Sequence, residues 1–325
     1  MEFLILLIPI LSFLLTIVIM PKWIKKARHI NLMWLDCNKY KKNNVAGSGG
    51  LIVVFSFVIS VLLYIAIKTF YFNSRENVIE ILAILTSILL LSLVGLIDDL
   101  LGWQSKGLSK RIRIILCFVA AIPFMVINLD NNVRLLYLFV IIPVGIAGCS
   151  LTFNFLAGMN GLEARQGILL IFALSIAAYF KNYSWISLVG LVMITTLLAF
   201  LYYNKFPAKV FPGNILTYPV GGLIAMIAIL SRTEKFALFI FIPYFIEIFL
   251  KSRGKLEKQS FGKPNKDGSL DLLYNKCYSL NHLAIIFLKK MRIKPTEKAV
   301  VNLINIFQIL IIVLGFVLFK NSIFV

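Results

Sequence analysis

Histidine is nearly missing from this chain, with two copies, and cysteine is scarce, with four. His29 and His282 stand far apart in sequence, which argues against a histidine-based metal centre. Cys37, Cys117, Cys149 and Cys277 form no CxxC pair, and two of them fall inside apolar runs, so neither a disulfide framework nor a zinc site is indicated. Acidic residues are few as well: 14 Asp and Glu face 33 Lys and Arg, for a formal net charge of +19. No RNA- or DNA-binding motif accompanies that charge, so it points to anionic lipid head groups or an anionic substrate and away from nucleic acid.

What fills the chain instead is apolar sequence. Of the 325 residues 60% are hydrophobic, and the apolar runs repeatedly reach the roughly 20 residues that span a bilayer. Ten candidate helices follow, at about 2–20, 51–68, 79–97, 112–128, 135–153, 167–181, 185–203, 215–231, 235–250 and 300–319. The expected fold is an all-α polytopic membrane protein, one integral-membrane domain over residues 1–325 with a basic loop at 251–298. The sixth segment is short, and the eighth contains Pro219 and the Gly221–Gly222 pair, a place where a helix can break. The first run has no basic residues before it and no small-residue cleavage site, so it reads as a retained helix and not as a secretory signal.

Lysines follow that first run, which places the N-terminus outside. With ten spans the C-terminus is then outside too, and segments 21–50, 98–113, 154–167, 204–214 and 251–298 are cytoplasmic. Those five segments hold 26 of the 33 Lys and Arg, as the positive-inside rule requires.

The same five segments hold the chemistry. "LVGLIDDLLGW" ends the third helix with adjacent acids, Asp98 and Asp99, whose side chains diverge by about 100° on a helix and so do not form a simple chelating pair. "NFLAGMNGLEARQG" supplies the Asn154 and Asn160 amides, glycine backbone open to close approach, and a following helix N-terminus that favours anions. "NKFPAKVFPGN" supplies Phe211 as a stacking face and Asn214 as a neutral oxygen ligand, and "LSKRIR" supplies Lys110, Arg111 and Arg113. Each has a plainer use: asparagines cap helices, phenylalanines anchor at interfaces, and basic side chains snorkel to lipid phosphates. Their shared side of the membrane favours one cytoplasmic-face site for a phosphate-bearing ligand. A transporter would place its polar groups nearer the midplane, often with inverted repeats; here no repeat is visible, and Glu247 is the one acid well inside a predicted span.

In this order "LDCNKY", "GLIDDLLGW", "NFLAGMNGLEA", "KVFPGN" and "GKPNKDGSL" with "KPTEKAVV" resemble the polyprenyl-phosphate N-acetylhexosamine-1-phosphate transferases, specifically the eukaryotic and archaeal branch that makes dolichyl-diphosphate N-acetylglucosamine. The resemblance implies an enzyme that joins UDP-N-acetylglucosamine and Mg²⁺, or Mn²⁺ in its place, to a polyprenyl or dolichyl phosphate, releasing UMP at the cytoplasmic face. It implies the plasma membrane for an archaeal chain and the endoplasmic reticulum for a eukaryotic one, and it is compatible with a homodimer. Carried over residue by residue, it implies Asn154 and Asn214 as metal ligands and Asp98 and Asp99 as the catalytic acid pair. Gly158, Asn160, Glu163 and Phe211 fall on the nucleotide-sugar side, and Lys110, Arg113, Arg253 and Lys263 are the phosphate-binding cations.

The chain also departs from that pattern. Asn214 stands where the family has aspartate, and an amide oxygen brings no charge to a metal. Leu151 replaces an asparagine, Arg165 a glycine, and Gly47 an acid, while Arg253, Lys255 and Lys263 stand in place of an arginine–histidine cluster. Arg165 and Arg113 are expected to offset these changes by supplying charge to a diphosphate. A catalytically impaired or differently specific paralogue is the alternative within the fold, and a transporter the alternative outside it.

Overall fold

The computed structural model describes residues 2–104, 107–127 and 135–324. Helices occupy all ten predicted segments. They are α1 (Glu2–His29), α2 (Gly50–Ala66), α3 (Val78–Gln104), α4 (Lys110–Ala120), α5 (Ile122–Ile127), α6 (Ile142–Phe153), α7 (Leu162–Phe180), α8 (Ser184–Asn204), α9 (Asn214–Leu230), α10 (Glu234–Ile240), α11 (Ile242–Ser252), α12 (Leu280–Lys290), α13 (Glu297–Leu318) and α14 (Lys320–Ile323). Among the described residues six helical stretches are long and apolar enough to cross a membrane, and Tyr137–Phe153 and Asn214–Leu230 are shorter apolar helices. The fourth and ninth predicted segments are each split by a single non-helical residue, Ala121 and Phe241, which precedes a proline two positions on. Asn128, the expected end of the fourth segment, and Lys106, one of the cations counted for topology, lie outside the described residues.

Helix α9 forms the centre of the bundle, packed on α2, α3, α6 and α7. It runs unbroken through Pro219, and Ile215–Ile229 are all buried. The Gly221–Gly222 pair therefore does not break the helix. It lets neighbours approach: a Cβ on Gly221 would lie 2.5 Å from the Cys149 carbonyl oxygen of α6, and one on Gly222 would strike Leu91 of α3. Contact with backbone on a neighbouring helix recovers what glycine costs in helix propensity, the usual role of small residues between membrane helices.

The long basic segment is not featureless. It contains the hairpin β3 (Gly262–Pro264) with β4 (Leu270–Leu272), in register Lys263↔Asp271, and then the amphipathic helix α12. A second hairpin, β1 (Met33–Leu35) with β2 (Asn44–Ala46), lies between α1 and α2. The buried acid Glu247 holds α12 in place: its carboxylate accepts the Leu280 N–H at 2.6 Å and the Ser279 hydroxyl at 2.9 Å, so it caps the first turn of α12 across the bundle.

Candidate active site

The five segments expected on one side do meet, and the acid pair is where α3 meets α9. Asp98 and Asp99 are both buried and diverge as adjacent helical residues must, yet both reach the first residue of α9. Asp98 takes its side chain, with Asn214 Nδ2 donating to Oδ2 at 2.6 Å, and Asp99 takes its backbone, with Asn214 N donating to Oδ1 at 2.8 Å. Asp99 also accepts from Ser48 Oγ at 3.0 Å and Ile215 N at 3.3 Å, so it supplies the N-cap that Gly213, having no side chain, does not. Gly213 has φ +74°, and any Cβ there would collide with the Asp99 carboxylate.

Hydrogen-bond capacity separates the two acids. A carboxylate offers about four acceptor sites. Asp98 uses all of them: Tyr218 Oη donates at 3.0 Å, Leu108 N at 2.8 Å and Arg113 Nη2 at 3.0 Å, besides Asn214. Asp99 has three donors and keeps one acceptor site on Oδ1.

The asparagine loop lies between α6 and α7 and is tied down almost group by group. The Ala157 carbonyl accepts from Asn281 Nδ2 at 3.0 Å and the Gly158 carbonyl from Asn38 Nδ2 at 2.5 Å. The Gly158 N–H donates to Glu163 Oε1 at 3.0 Å, so the acid in the first turn of α7 is spent on the loop preceding it. Asn160 donates its backbone N–H to Glu297 Oε1 at 2.7 Å and its Nδ2 to Asp36 Oδ2 at 3.1 Å. Lys39 closes this ring, paired with Asp36 at 3.2 Å and with Glu297. All four groups lie at the end of the bundle where the 30s loop, the asparagine loop and the start of α13 converge.

Above this floor lies a cavity of about 320 Å³. Its lining includes Asn154, Gly158, Asn160, Glu163, Phe211 and Asn214 from the predicted set, together with Asp36, Thr217 and Phe261. A second cavity of about 270 Å³ is lined by Asp98, Asp99 and Gly102 and shares Trp34, Gly213 and Asn214 with the first. Asn154 and Asn214 are brought together through Thr217, one turn after Asn214 on α9, whose hydroxyl donates to Asn154 Oδ1 at 3.0 Å. The Asn214 amide nitrogen is engaged by Asp98, so its carbonyl oxygen is the polar end left for a ligand.

The predicted cations stand elsewhere. Arg113 is drawn into its ion pair with Asp98, and Arg165 donates to Asn302 Oδ1 of α13 at 2.9 Å, so neither supplies charge to the larger cavity. Lys110, which donates to the Lys255 carbonyl at 3.3 Å, Arg253 and Lys263 are exposed and outside its lining. Among the described residues no lysine or arginine lines that cavity, and no group of three or more His, Cys, Asp or Glu is placed to hold a metal. An anionic ligand there needs a counter-charge, and the cavity-lining amide oxygens of Asn154, which also accepts from Thr217, and Asn214 are hard oxygen donors of the kind that Mg²⁺ accepts beside phosphate oxygens. The donor set fits such an ion.

Several contributors escaped the sequence reading. Asp36, Asn38 and Lys39 lie in "LDCNKY" and Glu297 in "KPTEKAVV", motifs whose residues have no role in that reading, while Thr217, Tyr218, Phe261 and Asn281 carry no signal. Cys37 lines the cavity, and burial, with Asp36 beside it, pushes its thiol pKa up, so it stays protonated. His282 is buried and its pKa is lowered by that burial, which keeps the imidazole neutral.

A sequence profile described as glycosyl transferase family 4 matches residues 81–232. A Saccharolobus solfataricus protein, provisionally named a UDP-N-acetylglucosamine–dolichyl-phosphate N-acetylglucosaminephosphotransferase, is 31% identical over 88% of this chain and 89% of its own length. A Sulfolobus acidocaldarius protein with the same provisional name is 30% identical over 86% of this chain and 87% of its own length. The phospho-N-acetylmuramoyl-pentapeptide-transferase of Nautilia profundicola is 30% identical over 75% of this chain and 80% of its own length.

Proposed function

The chain belongs to glycosyl transferase family 4, and from that premise we propose that it transfers N-acetylglucosamine-1-phosphate from UDP-N-acetylglucosamine to a membrane polyprenyl or dolichyl phosphate, releasing UMP. The reaction belongs to the first step of lipid-linked glycan assembly and takes place at the cytoplasmic face. The observation that carries the reading is the convergence of Asn154, Asn214 and Phe211 on one cavity without a lining cation, which suits a base attached to a metal-bound diphosphate.

In this reading Asn154 and Asn214 would hold Mg²⁺, or Mn²⁺ in its place, through their amide oxygens. When bound, the ion neutralises charge on the diphosphate, the dominant requirement in phosphoryl transfer. The lipid phosphate oxygen attacks the sugar-linked phosphorus, a new P–O bond forms, and the bond to the UMP oxygen breaks. The acceptor is a phosphate monoester with a second pKa of about 6, so it arrives ionised and needs no base. Asp98, with its acceptor sites filled, positions the Asn214 amide, and Asp99 fixes the start of α9 that presents it. Phe211 offers a stacking face whose backbone is held in place: its N–H donates to the Ala46 carbonyl at 2.8 Å and its carbonyl accepts from Gly49 N–H at 2.8 Å.

The test is UMP release by purified protein from a panel of UDP-sugars, with and without polyprenyl phosphate and Mg²⁺. Release is expected from UDP-N-acetylglucosamine only when both are present. Folded protein that neither releases UMP nor binds a uridine nucleotide refutes the reading.

A further inference from the structure

Phe261 reaches the cavity from a part of the chain that the transfer reaction leaves without a task, and its backbone is held to an unusual degree. Three consecutive residues are pinned by side chains. The Ser260 carbonyl accepts from Asn281 Nδ2 at 3.1 Å, the Phe261 carbonyl lies 3.0 Å from His282 Nε2, and the Gly262 N–H donates to Asn38 Oδ1 at 3.0 Å. Each of these side chains is buried: Asn281 and His282 are 0% exposed and Asn38 6%. The His282 tautomer follows from its other nitrogen, since Nδ1 faces the Tyr278 N–H at 3.3 Å and accepts from it. Nε2 therefore carries the proton and donates to Phe261.

The ring delivered by this clamp lies against Gly158, where a Cβ would come within 2.9 Å of Phe261 Cε1. Gly158 has φ +94°, so both its backbone conformation and the ring above it exclude a side chain. Phe261 and Phe211 line the same cavity, one from the segment before β3 and the other from the turn before α9. Buried polar groups that fix one half-buried aromatic ring are what a preorganised stacking site requires, because the ordering cost is met before the ligand arrives.

We propose that Phe261 is a substrate-binding residue, a second aromatic wall for the heteroaromatic base of the nucleotide donor, and that His282 is its positioning residue. The proposal rests on the nucleotide-sugar reading above and adds to it that the segment between α11 and α13 contributes directly to donor recognition. Base–aromatic stacking measured by alanine substitution corresponds to losses of about 5-fold to more than 100-fold in affinity.

The experiment is calorimetric titration of the full-length detergent-solubilised protein with UDP and Mg²⁺, together with KM for UDP-N-acetylglucosamine and for polyprenyl phosphate. Phe261→Ala, and Phe261→Leu, which keeps apolar contact on Gly158, are expected to weaken UDP binding about 10-fold and raise the donor KM alike, with the acceptor KM unmoved; Phe261→Tyr is expected to stay within about 3-fold of wild type. His282→Ala is expected to weaken UDP binding in the wild-type background and to add nothing in the Phe261→Ala background. UDP affinity that is unchanged in Phe261→Ala and Phe261→Leu, or a rise confined to the acceptor KM, overturns the proposal alone. Failure of the wild type to bind UDP overturns it together with the transferase reading.

Discussion

Replacing Asn214 by aspartate sets two effects against each other at one atom. The new carboxylate would supply the charged oxygen that an amide lacks, which favours a divalent cation. It would also remove the donor that satisfies Asp98 Oδ2 at 2.6 Å and place a second anion against a buried carboxylate. Losing a hydrogen bond to a charged buried group costs about 1.5–3 kcal/mol before any repulsion is counted. With about 2–4 °C per kcal/mol for large domains, the melting temperature of Asn214→Asp in EDTA should fall by about 3–12 °C. Saturating Mg²⁺ or Mn²⁺ should recover most of that fall, while shifting the wild type less, because the ion binds the native variant and screens the paired acids. Differential scanning fluorimetry in detergent, with and without each ion, reads both numbers. A fall that is the same in EDTA and in Mg²⁺ would show that the ion sits away from residue 214, and no fall in EDTA would refute the Asp98–Asn214 contact itself.

Other consequences are equally direct. Glu297→Ala removes the acceptor of the Asn160 N–H and one partner of Lys39, so it should lower stability by about 2 kcal/mol and weaken UDP binding measured by calorimetry. Gly221→Leu drives a side chain into the Cys149 carbonyl and should abolish the monodisperse peak in size-exclusion chromatography, whereas an exposed α13 change such as Leu310→Ala should not. His282 gives a pH signature. Its folded pKa lies below the ordinary value of about 6.5, so the unfolded chain takes up a proton that the folded one refuses; stability is full above that value and declines as pH falls through the window toward the folded pKa, by at most about 1.4 kcal/mol per pH unit. Melting temperatures of the wild type and His282→Gln across that range should converge as pH falls.

Much of the architecture could be read from hydropathy, because a segment without water must satisfy its backbone internally and so declares itself by length and apolar content. All ten predicted segments carry helix. Local reasoning failed where a neighbour decides the outcome. Gly221 and Gly222 are poor helix formers in isolation, and only the proximity of α6 and α3 turns them into packing residues. Helix α12 is too short and too flanked by lysines to stand out, since its order comes from Glu247 on another helix. The candidate site shows the same divide. Residue types and spacing brought Asn154, Asn160, Phe211 and Asn214 to one cavity, but the fate of each cation depended on partners no spacing rule reveals: Arg113 on Asp98 and Arg165 on Asn302. Asp36, Lys39 and Glu297 become a ring only after the chain has brought its beginning and end together.

That ring also bears on the order in which the protein is made. Asn160 waits for Glu297, 137 residues further along the chain, and the Lys39 partner emerges later still relative to its own synthesis. While the ribosome is still delivering α8 to α12, the asparagine loop has neither its amide acceptor nor its clamp from Asn281. A nascent chain can therefore insert the helices up to α12 and still lack the formed floor of the cavity, which waits for Glu297 in the first turn of α13.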